Sequence, residues 1–192
     1  MARGCFRRAV AESVVLMMFG AVGATAQPRT ADVCLRATGA ARPVRPVSWP
    51  RLDMPDPVAR ISAEKALNEA WQLLAQEDCA AVLGRFLDSA GRPLSRYLEG
   101  LSIDAQTYLT LVVFVDGTRE VACFEGVFAF TVPGSRVVRL CVDELKRTAR
   151  QSPRHTAANF IHEMLHSLGL GENPPSSTEI TARVLAACHR EK

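Results

Sequence analysis

The stretch that decides the reading is NFIHEMLHSLGLGENPPSSTEI, residues 159–180. His162 and His166 stand four apart around Glu163. On a helix that spacing puts both imidazoles on one face. The helix has its own start and stop signals. Ser152-Pro153 reads as an N-cap followed by proline at the first position, and Gly169 supplies the reversal at the end. The spacing therefore predicts a helix over about residues 153–168. Ser176, three before Glu179, marks a last helix that ends near Cys188.

Upstream, Ser62 is a candidate N-cap, and Ala66, Leu67, Ala70, Trp71 and Leu74 form one apolar helical stripe from Ile61 onward. A short helix is expected from Cys79 to Leu87. A turn then covers residues 88–93, a helix runs from Pro93 to Leu98, and a further helix covers 143–151. Between these the chain reads as β. TYLTLVVFV (107–115) and EVACF (120–124) look like strands joined by the hairpin pair Asp116-Gly117. VFAFTV and RVVRLCV look like a second pair around Pro133-Gly134. The expected fold class is α+β, a short antiparallel sheet with flanking helices.

The chain has 192 residues, 48% apolar and 22% charged, enough to bury one core. Arg3, Arg7 and Arg8 precede the apolar run VVLMMFGAV (14–22), which is too short to span a bilayer stably, and the small residues ATA follow. Residues 1–26 are expected to be a secretory signal, with a retained anchor as the alternative. Removing them leaves 20 basic and 19 acidic residues. That near-neutral balance gives no nucleic-acid footprint, and no second membrane span is expected. Residues 27–57 carry six prolines and five arginines without periodicity. They read as a linker arm, with a pro-segment, or a mask in which Cys34 caps a metal, as alternatives. The folded domain is expected over 58–192.

Five cysteines follow the expected cut, in a secreted or periplasmic, oxidising setting. Cys123 and Cys141 lie on neighbouring strand patterns and are expected to pair. Cys79 with Cys188 would tie the two ends of the folded region, leaving Cys34 as the odd thiol.

The two histidines can reach one metal ion, and zinc (Zn2+) suits nitrogen and oxygen donors while keeping a position open for water. Glu163, beside the first ligand, is placed to take a proton from that water and pass it to a leaving amine. HEMLHSLGLGE (162–172) resembles the zinc-binding stretch of metzincin metallopeptidases, matrix metalloproteinases in particular, whose pattern is H-E-x-x-H-x-x-G-x-x-H. His162, Glu163, His166 and Gly169 match it. The resemblance covers about eleven residues and implies a zincin-like core and a zinc endopeptidase with Glu163 as general base. Glu172 stands where the family has its third histidine, no methionine follows Met164, and only 26 residues follow His166. Gluzincins place a glutamate ligand on a later helix, so Glu179 is the alternative third ligand to Glu172. The carboxylate not used could orient a ligand instead.

Tyr97, Tyr108, Arg183 and His189 are candidate oxyanion donors, and His155 reads as a surface residue at the helix start. The strands ahead of the helix are candidates for pairing with an extended substrate. The expected protein is a monomeric secreted amide hydrolase acting on peptide or protein, with peptidoglycan as an alternative substrate. The competing readings are a metal-binding module without catalysis, and a disulfide-stapled binding protein in which the motif is accidental.

Overall fold

A computed structural model describes residues 49–188. The expected signal segment, most of the arm, Cys34 and His189 lie outside the described residues. Thirteen elements follow one another. They begin with β1 (Arg51–Asp53), α1 (Pro57–Leu74) and α2 (Glu77–Ala80), which passes into a 3-10 turn (Ala81–Arg85). Next come α3 (Ser95–Leu101), α4 (Ala105–Leu109), β2 (Val113–Asp116), α5 (Val121–Phe124), β3 (Ala129–Phe130) and β4 (Val137–Leu140). The last three are α6 (Val142–Gln151), α7 (Pro153–Ser167) and α8 (Ser177–Ala187).

The class is α+β, but the sheet is mixed rather than antiparallel. Its order is β1-β2-β4-β3, with the first two pairings parallel and only β3–β4 antiparallel. Two local features redirect the chain. Asp104 accepts a hydrogen bond from the Thr107 N–H at 2.7 Å and caps α4, so the first half of TYLTLVVFV is helical despite its β-branched composition. Asp116-Gly117 makes no hairpin. Gly117 N–H donates to Leu140 O at 2.9 Å, and a Cβ there would sit 2.9 Å from Arg139 Cβ, so this glycine permits close approach to β4. EVACF is then not a strand but the short α5, tied by Cys123 to Cys141 at the end of β4. The β3–β4 pair around Pro133-Gly134 forms as expected.

The helix starts show the same local control. α1 begins ahead of the expected Ser62, because Asp56 caps Ala59 N–H at 2.8 Å and Pro57 occupies the first turn. Ser62 Oγ instead donates back to Val58 O. The sheet's first strand and this cap both precede residue 58, inside the stretch expected to be an arm. Ala59, Ala63, Ala66 and Ala70 form a buried small-residue face on α1, which packs against α6 and α7. α7 runs through the middle of the molecule, also touching α8 and β4. Phe160 pins it to the sheet, edge-on to Phe114 of β2 at 5.0 Å and to Phe128 at 5.7 Å.

Both expected disulfides are present, Cys79–Cys188 and Cys123–Cys141. The first has a sequence separation of 109 and fastens the end of α8 to α2. Replacing Cys79 and Cys188 together by serine is expected to lower unfolding free energy by about 2–5 kcal/mol. Urea titration of the double variant beside the parent measures this.

Candidate metal centre

Three donor atoms converge at one end of a cleft of about 880 Å³ between α7, α8 and residues 126–131. His162 Nε2 lies 2.8 Å from His166 Nε2, and Glu172 Oε1 lies 3.1 Å from His166 Nε2 and 3.5 Å from His162 Nε2. The histidines are brought together by the helix period. Glu172 is brought back by the chain reversal that ends α7. Gly169, at φ 109°, opens a Schellman ending in which its own N–H donates to His166 O and the Leu170 N–H donates to Leu165 O. Leu170 is buried and bridges Asp88, which fixes the direction in which Glu172 leaves.

The outer nitrogens are also held. His166 Nδ1 lies 2.8 Å from Leu170 O, and a carbonyl can only accept, so Nδ1–H donates and Nε2 keeps its lone pair. His162 Nδ1 lies 2.8 Å from the Thr181 hydroxyl on α8. Two imidazole nitrogens and a carboxylate oxygen thus face one another at contact distance, and either the Nε2–H tautomer of His162, with Thr181 donating to Nδ1, or a cation among them relieves the repulsion. Burial, with His166 adding to it, holds His162 down at about 3, so protonation of that imidazole is a costly way to supply the charge. This His162–His166–Glu172 cluster could hold a metal ion, and its nitrogen and oxygen donors fit a borderline divalent cation such as zinc.

Glu163 lines the same cleft, and its Oε2 is a fully buried oxygen with no hydrogen-bond partner. Burial, then the Glu172 carboxylate, pushes its carboxyl up to about 8. A cation at the cluster would oppose both effects and favour the carboxylate.

The structure separates the two candidate third ligands. Glu179 is exposed, pairs with Arg183, and belongs neither to the cluster nor to the cleft wall. The capping box forms by half: Ser176 Oγ accepts from Glu179 N–H, while the Glu179 carboxylate turns to Arg183. The tyrosines lie away from the cleft. Tyr108 is buried and donates to Ser167 O at 3.0 Å, and Tyr97 packs edge-on to it at 6.0 Å. Arg183 is held by Glu179 over the Phe86 ring. His155, by contrast, does line the cleft.

Thr181, the Leu170 carbonyl and Asn159 were not legible as site groups. For Asn159 the helix period gave a signal, since it stands one turn before Glu163 on the same face. Nothing local in the sequence points to Thr181, which arrives from a separate helix.

Glu172→Ala is expected to weaken divalent-metal binding by more than tenfold, and Glu179→Ala to leave it within about twofold. Thr181→Val, which frees His162 Nδ1, is expected to cost about 10–100-fold in metal affinity. Competition titration with a chromophoric chelator ranks the three.

No family model, no curated protein and no solved structure matches this chain, so the cluster is read from its own residues.

Proposed function

We propose that this chain is a secreted or periplasmic zinc-dependent amide hydrolase, with a metalloendopeptidase as the leading form and a zincin-type site built from His162, His166 and Glu172. The observation that carries the reading is the Glu163 carboxyl. A buried carboxyl oxygen without a partner is costly to keep. Holding a metal does not require it, whereas a proton-transfer step at that spot does. Two disulfides suit an oxidising compartment, and among the described residues no helix is long and apolar enough to cross a membrane.

Zinc held by the cluster would supply Lewis-acid polarisation of a scissile carbonyl and acidify the attacking water. Glu163 takes a proton from that water at its unpartnered oxygen and delivers it to the leaving amine. Leu170 O and Thr181 keep the imidazoles turned so that their Nε2 atoms face inward. β3 is the end strand of the sheet, and residues 126–131 form one wall of the cleft. An extended peptide that adds to this edge would pass the cluster with its backbone held by main-chain hydrogen bonds. Gly134 N–H donates to His166 O at 2.9 Å, so the turn that carries β3 is fastened to a ligand residue.

The purified chain is expected to contain about one zinc per molecule, measured by elemental mass spectrometry. Glu163→Gln should keep the metal and lose about 10²–10⁴-fold in hydrolysis of fluorescently labelled casein. His166→Ala should lose both. A folded, zinc-free parent sinks the reading, and a Glu163→Gln variant as active as the parent removes Glu163 from the chemistry. Release of soluble fragments from peptidoglycan but not from casein would move the substrate to the cell wall.

A further inference from the structure

Asn159 is a polar side chain of the cleft without a hydrogen-bond partner among the described residues. Between Thr156 and Ser167 every residue of α7 is buried except Asn159, which is half-buried and lines the cleft. Among the described residues its amide makes no hydrogen bond. It stands four residues before Glu163, so the two side chains are neighbours on one face, with Cβ atoms about 5–6 Å apart. His155, one turn further on, continues the line, and Thr178 of α8 also borders the space. That offset is close to the repeat of about 6.8 Å between same-side residues of an extended chain. An extended substrate that runs along α7 with its scissile bond at Glu163 would present a flanking side chain to Asn159.

The chemistry of this wall is selective. Among the described residues, no lysine, arginine or aspartate lines the cleft. Its two glutamates, Glu163 and Glu172, are offset when a dication occupies the cluster, so neither an acidic nor a basic side chain meets a free counter-charge. An apolar side chain would cover the Asn159 amide and leave its donors and acceptor without water. A neutral hydrogen-bonding side chain satisfies them.

Resting on the peptidase reading above, we propose that Asn159 is a specificity-determining residue. With His155 it forms a hydrogen-bonding subsite that takes an amide or hydroxyl side chain (Asn, Gln, Ser or Thr) flanking the scissile bond.

The test uses the zinc-loaded full chain, Asn159→Val, Asn159→Ala and, as blank, Glu163→Gln. Cleavage sites in a complex peptide mixture are mapped by mass spectrometry, and kcat/KM is measured on matched peptides carrying Gln, Leu, Asp or Lys at the selective position. The parent is expected to favour Gln by about tenfold or more. Asn159→Val should swing the preference to Leu, and Asn159→Ala should flatten it, each with zinc content unchanged. The inference is overturned if both variants keep the parent's profile, if the parent selects only apolar or charged side chains, or if both variants lose zinc. A parent that carries zinc but cleaves nothing above the Glu163→Gln blank removes the peptidase reading, and this subsite with it.

Discussion

A helix buried on nearly every side must settle each of its polar groups within the protein, and α7 is such a helix. Thr156 Oγ1 donates to Ser152 O, and Ser167 Oγ donates to Met164 O at 2.7 Å with the Tyr108 hydroxyl 3.3 Å away. His162 and His166 each turn one nitrogen to a neighbour and the other inward. Only Glu163 is left with a buried oxygen unmatched. Two polar groups of the helix stand apart from this pattern, the buried Glu163 oxygen and the half-buried Asn159 amide, and both residues line the cleft. Unmatched groups of this kind in native folds mark places where stability gives way to chemistry.

The surrounding elements converge on keeping that helix in register. Phe160 fixes its rotation against the sheet, so the histidine face is turned away from the aromatic core and toward α8. The Gly169 reversal fixes where its last turn stops, and so where Glu172 returns. α8 closes the other side, held by the Cys79–Cys188 bond and by the Arg154 guanidinium, which donates to Leu185 O and Cys188 O. The cluster is therefore a product of four contacts distant in sequence, although its two histidines are adjacent turns of one helix.

What could be read from the sequence was what short-range chemistry dictates. The start of α7 at Ser152-Pro153 and the Ser176 cap of α8 each pair a side chain with a backbone N–H three residues on, and the end of α7 at Gly169 is a backbone reversal that closes within five residues. Both cysteine pairs form as expected, although Cys123 falls in a strand-like pattern and lies on the short α5. The middle of the chain misled because β-branched composition is a weak vote, overruled at α4 by one capping aspartate. Parallel pairing of β1, β2 and β4 depends on crossovers whose packing no local pattern announces. Which of Glu172 and Glu179 comes back beside the histidines depends on the direction of a loop, and the partnership of Thr181 with His162 on the docking of separate helices.

The connectivity of the two disulfides bears on how the molecule would age in the company of proteases. Cys123 and Cys141 bracket residues 124–140, which contain the edge strand and one wall of the cleft. Cys79 and Cys188 bracket everything from α3 to α8. A single backbone cut inside either loop leaves both fragments covalently joined, and the donors His162, His166 and Glu172 remain on the same connected body. Clipped molecules would migrate as intact chains until reduced, so accumulated damage would show on a gel only after thiol treatment.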